Sequence, residues 1–322
     1  MALHPDLAAF LELVEFGRLT GKSQPMHAMD VAQARAEFAA SSQVLDPSPP
    51  GDLSVSELSI PTRDGAQLPA RLYRNGQPAA APQPVILYLH GGGYVVGSLD
   101  SHDSVCRRLA SMGDFAVLAP DYRLAPEHRF PVPVNDALDA ANWLAEHALA
   151  LGLDNRRVVF AGDSVGASLA TVLAITAVKA PETLAIKPLA QLLFYPVTDL
   201  SCLRDSHRQH AEGYLLETET LAWFYQHYAP LPEQRLDWRA SPLLAQVDTP
   251  LAPAYLWVAE YDPLHDEGLA YRDRLQASGT PVTFVRAQGL SHDFLRMSGL
   301  VGQVGGIYRD VGAWLSAVGG RA

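Results

Sequence analysis

Apolar residues recur at three- and four-residue steps from the start of the chain. Leu3, Leu7, Phe10, Leu11 and Val14 fall on one stripe, which predicts a helix. A second helix is expected over 30–42, with Val31, Ala34 and Phe38 inward. The run Asp46-Pro-Ser-Pro-Pro-Gly51 ends helical structure, because its prolines remove backbone donors and fix φ. The pattern then alternates apolar and polar over 53–60 and 67–73, either side of the Asp64-Gly65 turn signal. This predicts an antiparallel pair at a sheet edge. The following strands are continuous apolar runs, at 85–89, 115–119, 158–161, 190–195 and 255–259, with a last strand at 282–286. Runs of that kind are buried on both faces, as in a parallel sheet covered by helices.

Helical patterns separate these runs, at about 103–112, 133–150, 165–179, 265–278 and 301–318. The alternation predicts a doubly wound, mainly parallel α/β sheet of about eight strands. One stretch breaks the rhythm. Residues 196–247 follow a strand, contain a helical pattern at 217–228 and are rich in Trp, Tyr and His. Together with helices in residues 1–50 this insertion is expected to cap the strand ends, leaving 51–195 and 248–322 as the main α/β domain.

Charge narrows the partners. The 322 residues carry a net charge of −11, and no dense Lys/Arg block interrupts it. Such a surface repels nucleic acid and anionic membranes, so a neutral small molecule is the expected partner. The two cysteines, Cys106 and Cys202, form no C-x-x-C pair and signal neither zinc nor a disulfide framework. The first 16 residues have no basic start and are broken by Asp6, Glu12 and Glu15, which reads as neither a signal peptide nor a membrane span. The cytoplasm is the expected location.

The chemistry lies at the strand ends. The run 158–161 leads into Gly162-Asp163-Ser164-Val165-Gly166 and a helix follows, the setting a G-x-S-x-G nucleophile elbow requires. A sharp strand-to-helix turn crowds the backbone around Ser164, so both flanking positions must be small. The turn pushes the hydroxyl outward, beside the N–H groups that open the helix. After the run 85–89 comes His90-Gly91-Gly92-Gly93-Tyr94. Bare glycine backbone can approach a substrate oxygen, so Gly91, Gly92 and the N–H of Val165 are the expected oxyanion donors. No G-K-[ST] follows, which argues against a phosphate cradle.

These two motifs, with Asp121-Tyr-Arg-Leu-Ala-Pro-Glu127 running on through His128, Phe130-Pro131 and Asp136, closely resemble the hormone-sensitive-lipase-like esterases of the α/β-hydrolase fold. The resemblance runs from about residue 50 onward. In this fold the chain order is Ser, acid, His. After the insertion only His265 and His292 are available, and His265 sits at the start of a predicted helix. His292, just beyond the last strand, is the expected base. Asp262 comes first in the loop after the run 255–259, in a segment similar to the family's D-P-L-x-D-E-G, and is the expected acid. Asp266 and Glu267 are expected to start the next helix, where negative charge is favourable.

The resemblance implies a carboxylic-ester hydrolase for short- to medium-chain acyl esters, needing no cofactor and no metal, in a family where dimers are common. The chain departs from the family in having Val165 and Ala167 after the nucleophile, and Asp293 where Gly usually follows the base. Val165 could narrow the acyl site. Asp293 could raise the imidazole pKa if it points inward. Tyr94, Asp163, Tyr195, Tyr214, Trp223 and Phe224 are the candidate pocket residues, although helical core packing explains Trp223, Phe224, Tyr225 and Tyr228 equally well. His207 and His210 are read as surface histidines, since no further ligand accompanies them. The same triad could serve an amidase, thioesterase or carbamate hydrolase. A non-catalytic receptor on this fold would lack the His, which is present here.

Overall fold

The computed structural model describes residues 2–76 and 81–320. Eight strands form one sheet: β1 Leu53–Pro61, β2 Gln67–Asn75, β3 Gln83–Leu89, β4 Ala116–Pro120, β5 Leu153–Asp163, β6 Ala190–Phe194, β7 Ala254–Tyr261 and β8 Val282–Ser291. Their spatial order is β1-β2-β4-β3-β5-β6-β7-β8. β1 and β2 are antiparallel to their neighbours and close one edge, as the alternating pattern predicts, and β4 through β8 are all parallel.

The helices are α1 Pro5–Leu19, α2 Val31–Leu45, α3 Asp103–Ser111, α4 Val132–His147, α5 Val165–Lys179, α6 Asp205–Gln209, α7 Thr218–Tyr228, α8 Pro232–Arg235, α9 His265–Ala277 and α10 Gln303–Gly319. The start of α2 follows from one side chain: Asp30 accepts from the N–H of Gln33 (2.8 Å) and so caps it. Helix α5 is buried along almost its whole length behind the sheet, which explains why its apolar residues show no one-sided stripe. The sheet separates two apolar cores, one on each face. Among the described residues no helix is long and apolar enough to cross a membrane.

Residues 196–247 carry α6, α7 and α8. Helix α7 meets the N-terminal segment: Arg18 pairs with buried Glu217, and His27 contacts the Thr220 hydroxyl (3.0 Å) and Glu219 (3.1 Å). Helix α2 is fixed to the body through Arg35, which donates to Val95 O and Ala125 O (both 2.9 Å) and pairs with Glu127 (2.7 Å). The Asp121-Tyr-Arg segment is held the same way. Arg123 grips fully buried Asp136 at 2.6 and 3.0 Å, so these residues are structural. His207 is buried, contrary to its reading as a surface residue, with Nε2 3.7 Å from Glu267 Oε2. Helix α9 starts as expected, but only Asp266 lies at its surface. Glu267 is turned fully inward.

Candidate active site

The chain reverses at Ser164, where β5 ends and α5 begins. Its φ of 54° and ψ of −122° lie outside the regions that L-residues favour. A Cβ on Gly162 would collide with the backbone of Gly166, and one on Gly166 with the carbonyl of Leu89. Three backbones therefore meet at van der Waals distance, which only glycine allows. The Ser164 N–H donates to Phe194 O (2.9 Å), tying the bend to β6.

The other two residues come from neighbouring strands. Tyr261 of β7 pairs with Ser291 of β8, so Asp262 and His292 leave the sheet side by side. Glu260 holds the irregular end of β8 by accepting from Gly289 N (2.8 Å) and Arg286 (2.9 Å). His292 Nδ1 then donates to Asp262 Oδ2 (2.8 Å), and the Ser164 hydroxyl reaches His292 Nε2 (3.0 Å). Asp262 Oδ1 also accepts from Leu264 N (2.9 Å). All three side chains are buried. Burial disfavours the imidazolium, but the charge and hydrogen bond of Asp262, then Asp293 and Asp163, outweigh it and raise the His292 pKa. His265 is occupied elsewhere, on the carbonyl of Ala259 (2.8 Å).

The glycine loop corrects one expectation. The Gly91 N–H is already spent on Asp163 Oδ1 (2.9 Å), so Gly91 offers no donor to an oxyanion. Among the described residues the N–H groups of Gly92 and Gly93 have no acceptor, and both residues line the cavity beside Ser164 and Val165. The Val165 N–H opens α5, where no intrahelical partner exists. The amides left open at the cavity are thus those of Gly92, Gly93 and Val165. Sequence reasoning missed it because the competing acceptor lies 72 positions away in the chain.

Asp163 is the organiser of this loop. Fully buried, it accepts from Gly91 N and from the Tyr88 hydroxyl (2.6 Å), and lies 3.4 Å from His102 Nε2. Burial alone would raise its pKa, but His102, Tyr88 and His90 hold it down to about 2. His90 stacks on Tyr122 (4.3 Å), and burial with the neighbouring His102 lowers its pKa to about 3. It is a neutral support under the loop.

A cavity of about 290 Å³ opens over Ser164. Most of its wall comes from the N-terminal segment, including Phe10, Val14, Met26, Met29 and Phe38, and from Leu215 to Tyr225 around α7. The pattern of these residues reads equally as ordinary helix packing, so sequence left most of them unmarked. Of the candidate pocket residues, Asp163 and Phe224 line the cavity. Tyr94, Tyr195, Tyr214 and Trp223 do not. Tyr94 is buried against Tyr228 (3.7 Å), and Tyr195 packs behind the His292 ring (4.6 Å). Tyr214 stacks on Tyr261 (5.2 Å). Trp223 precedes Phe224 on α7 and faces another way, against His227 (4.5 Å), as a 100° step per residue demands.

A strained serine at a strand-to-helix bend, followed by an acid and a histidine from two later strand ends of the same sheet, defines the α/β-hydrolase class. A family model described as alpha/beta hydrolase fold matches residues 86–296. The chain belongs to this family, within its hormone-sensitive-lipase-like esterases, and it is a carboxylic-ester hydrolase. It is 51% identical to an ethyl acetate hydrolase of Pseudomonas putida, over 94% of both chains. It is 38% identical to the carboxylic ester hydrolase LipN of Mycobacterium tuberculosis, over 85% of this chain and 72% of the relative. Among solved structures it superimposes on an esterase from the archaeon Pyrobaculum calidifontis with a TM-score of 0.90 and 37% identity, over 99% of this chain and 100% of that one. An ester hydrolase from the metagenome of Lake Arreo gives 0.92 and 35%, over 98% of both.

Proposed function

We propose that the protein cleaves short- to medium-chain acyl esters through an acyl-enzyme, with Ser164 as nucleophile, His292 as base and Asp262 as orienting acid. His292 Nε2 takes the hydroxyl proton as Ser164 Oγ attacks the ester carbonyl. Negative charge on the carbonyl oxygen is held by the N–H groups of Gly92, Gly93 and Val165. The imidazolium, steadied by Asp262, returns the proton to the departing alcohol. Water then enters by the same route, and the acid leaves with Ser164 restored. Residues 1–50 and 196–247 act as the cap that shapes the cavity.

The observation that carries this reading is the continuous hydrogen-bond chain from Ser164 through His292 to Asp262, buried at the floor of a cavity beside acceptor-free N–H groups. The short-acyl preference is supported by Val165, whose branched side chain lines that floor, and by the similarity to an ethyl acetate hydrolase. The test is a panel of p-nitrophenyl esters of increasing acyl length, with matched thioester and amide. Wild type should favour the short esters, and Ser164→Ala should lose at least about 10³-fold in kcat. Val165→Ala should extend the profile to longer chains. Activity that survives Ser164→Ala removes the mechanism, and an unaltered profile in Val165→Ala removes the acyl argument.

A further inference from the structure

The turn that carries His292 holds a charge pair the ester-cleaving machinery does not use. Asp293 stands directly after the base, with φ 67°, in the left-handed region that suits glycine. Asp is among the few other residues that tolerate it. A carboxylate there lies in the field of the imidazole and is one of the groups that raise its pKa. Three residues on, Arg296 answers it: Nη1 lies 2.9 Å from Asp293 Oδ2, and both residues border the cavity.

Arg296 is 3% exposed, unusual for an arginine. Its remaining donors are spread over two other segments. Nε donates to Ser101 O (3.2 Å), next to the His102 that contacts Asp163. Nη2 donates to Phe38 O (3.1 Å) and to the hydroxyls of Ser41 (3.1 Å) and Ser42 (2.7 Å), all on α2. The guanidinium also lies over the Phe38 ring at 4.0 Å. One buried cation thus joins the turn of the base, the segment beneath the glycine loop and the helix over the cavity.

We propose that Arg296 is a positioning residue for ester cleavage: it is the internal counter-ion of Asp293 and fastens the His292 turn to α2. The proposal rests on His292 being the base. Around His292 the charged and titratable groups are Asp262 from the end of β7, Asp163 from the elbow, Tyr195 after β6, and Asp293 with Arg296 on its own turn. Removing Asp293 or Arg296 does not touch the hydrogen-bond chain, so their effects can be isolated. The base acts only when neutral, so the acid limb of kcat/KM follows its pKa.

The experiment measures kcat/KM against pH on one short ester for wild type and four variants. Arg296→Met leaves Asp293 unopposed and should move the acid limb upward by about half a pH unit. Asp293→Gly leaves Arg296 unopposed and should move it downward. The double variant should return close to wild type. Arg296→Lys keeps the charge but not the fork, so its acid limb should stay in place while KM rises several-fold as α2 loosens. A limb unmoved in both single variants, or a double variant still displaced like Arg296→Met, overturns the counter-ion role. An unchanged KM in Arg296→Lys overturns the fastening. Should Arg296→Met not fold, Asp293→Gly alone decides the counter-ion role, since glycine suits that φ. His292→Ala is run in parallel. Activity retained there would sink the reading of His292 as base, independently of Arg296.

Discussion

A single carboxylate decides which amides of the glycine loop remain for substrate. Asp163 takes the Gly91 N–H, and this bond fixes the loop so that Gly92 and Gly93 keep theirs unspent. Its ionisation is secured by neighbours that hold the pKa at about 2, so the anchor stays charged across the working pH range. Asp163→Asn keeps the shape but weakens the acceptor. Because the donors act on charge that develops only in the transition state, kcat should fall about 10- to 100-fold while KM changes little. Steady-state kinetics on a short ester checks this, and a purely KM effect would refute it. The adjacency of Asp163 to Ser164 was visible in the sequence, but its task was not, since Tyr88, Gly91 and His102 converge on it only in three dimensions.

At the level of elements, α7 rests on the glycine loop. Gly93 has φ 61°, and a Cβ there would run into the Phe224 ring. Gly93→Ala should therefore displace either α7 or the loop and lower kcat/KM by roughly 100-fold, since misplacing one oxyanion donor costs about that much. Combining it with Phe224→Ala should recover part of the loss by making room. No recovery in the double variant would mean that backbone conformation alone, and not the ring, is limiting. The central strands β3 to β7 were legible because they are largely buried on both faces, and their apolar runs admit little else. The elbow was legible because a sharp strand-to-helix bend demands small flanking residues, and the order Ser, acid, His followed from the family resemblance. The cavity wall was not. Phe10, Val14 and Met29 border a hollow, and an amphipathic stripe looks the same with or without one.

Across the molecule, the buried carboxyl of Glu267 stands apart. Wholly buried behind the site, it accepts from Thr198 N (2.5 Å) and Asp199 N (3.3 Å), while Oε2 has no hydrogen-bond partner among the described residues. Burial, reinforced by Asp199 and Asp262, raises its pKa from 4.5 to about 8. The folded state therefore holds a proton that the unfolded chain has already released. Its stabilising contribution is complete below pH 4.5 and is lost as pH rises through about 8. Glu267→Gln removes this dependence. Thermal melts between pH 5 and 8 should show Tm falling less steeply in the variant than in wild type. Parallel slopes would mean that Glu267 does not carry the proton.

The walls of the hollow and the atoms that break bonds have separate origins. The floor is built from strand ends locked in one hydrogen-bonded sheet, whereas most of the wall is supplied by the first 45 residues and by the stretch around α7. Drift in those outer stretches can recast which molecules are admitted while leaving the reaction intact. Descendants of such a chain inherit one chemistry and diversify their diet.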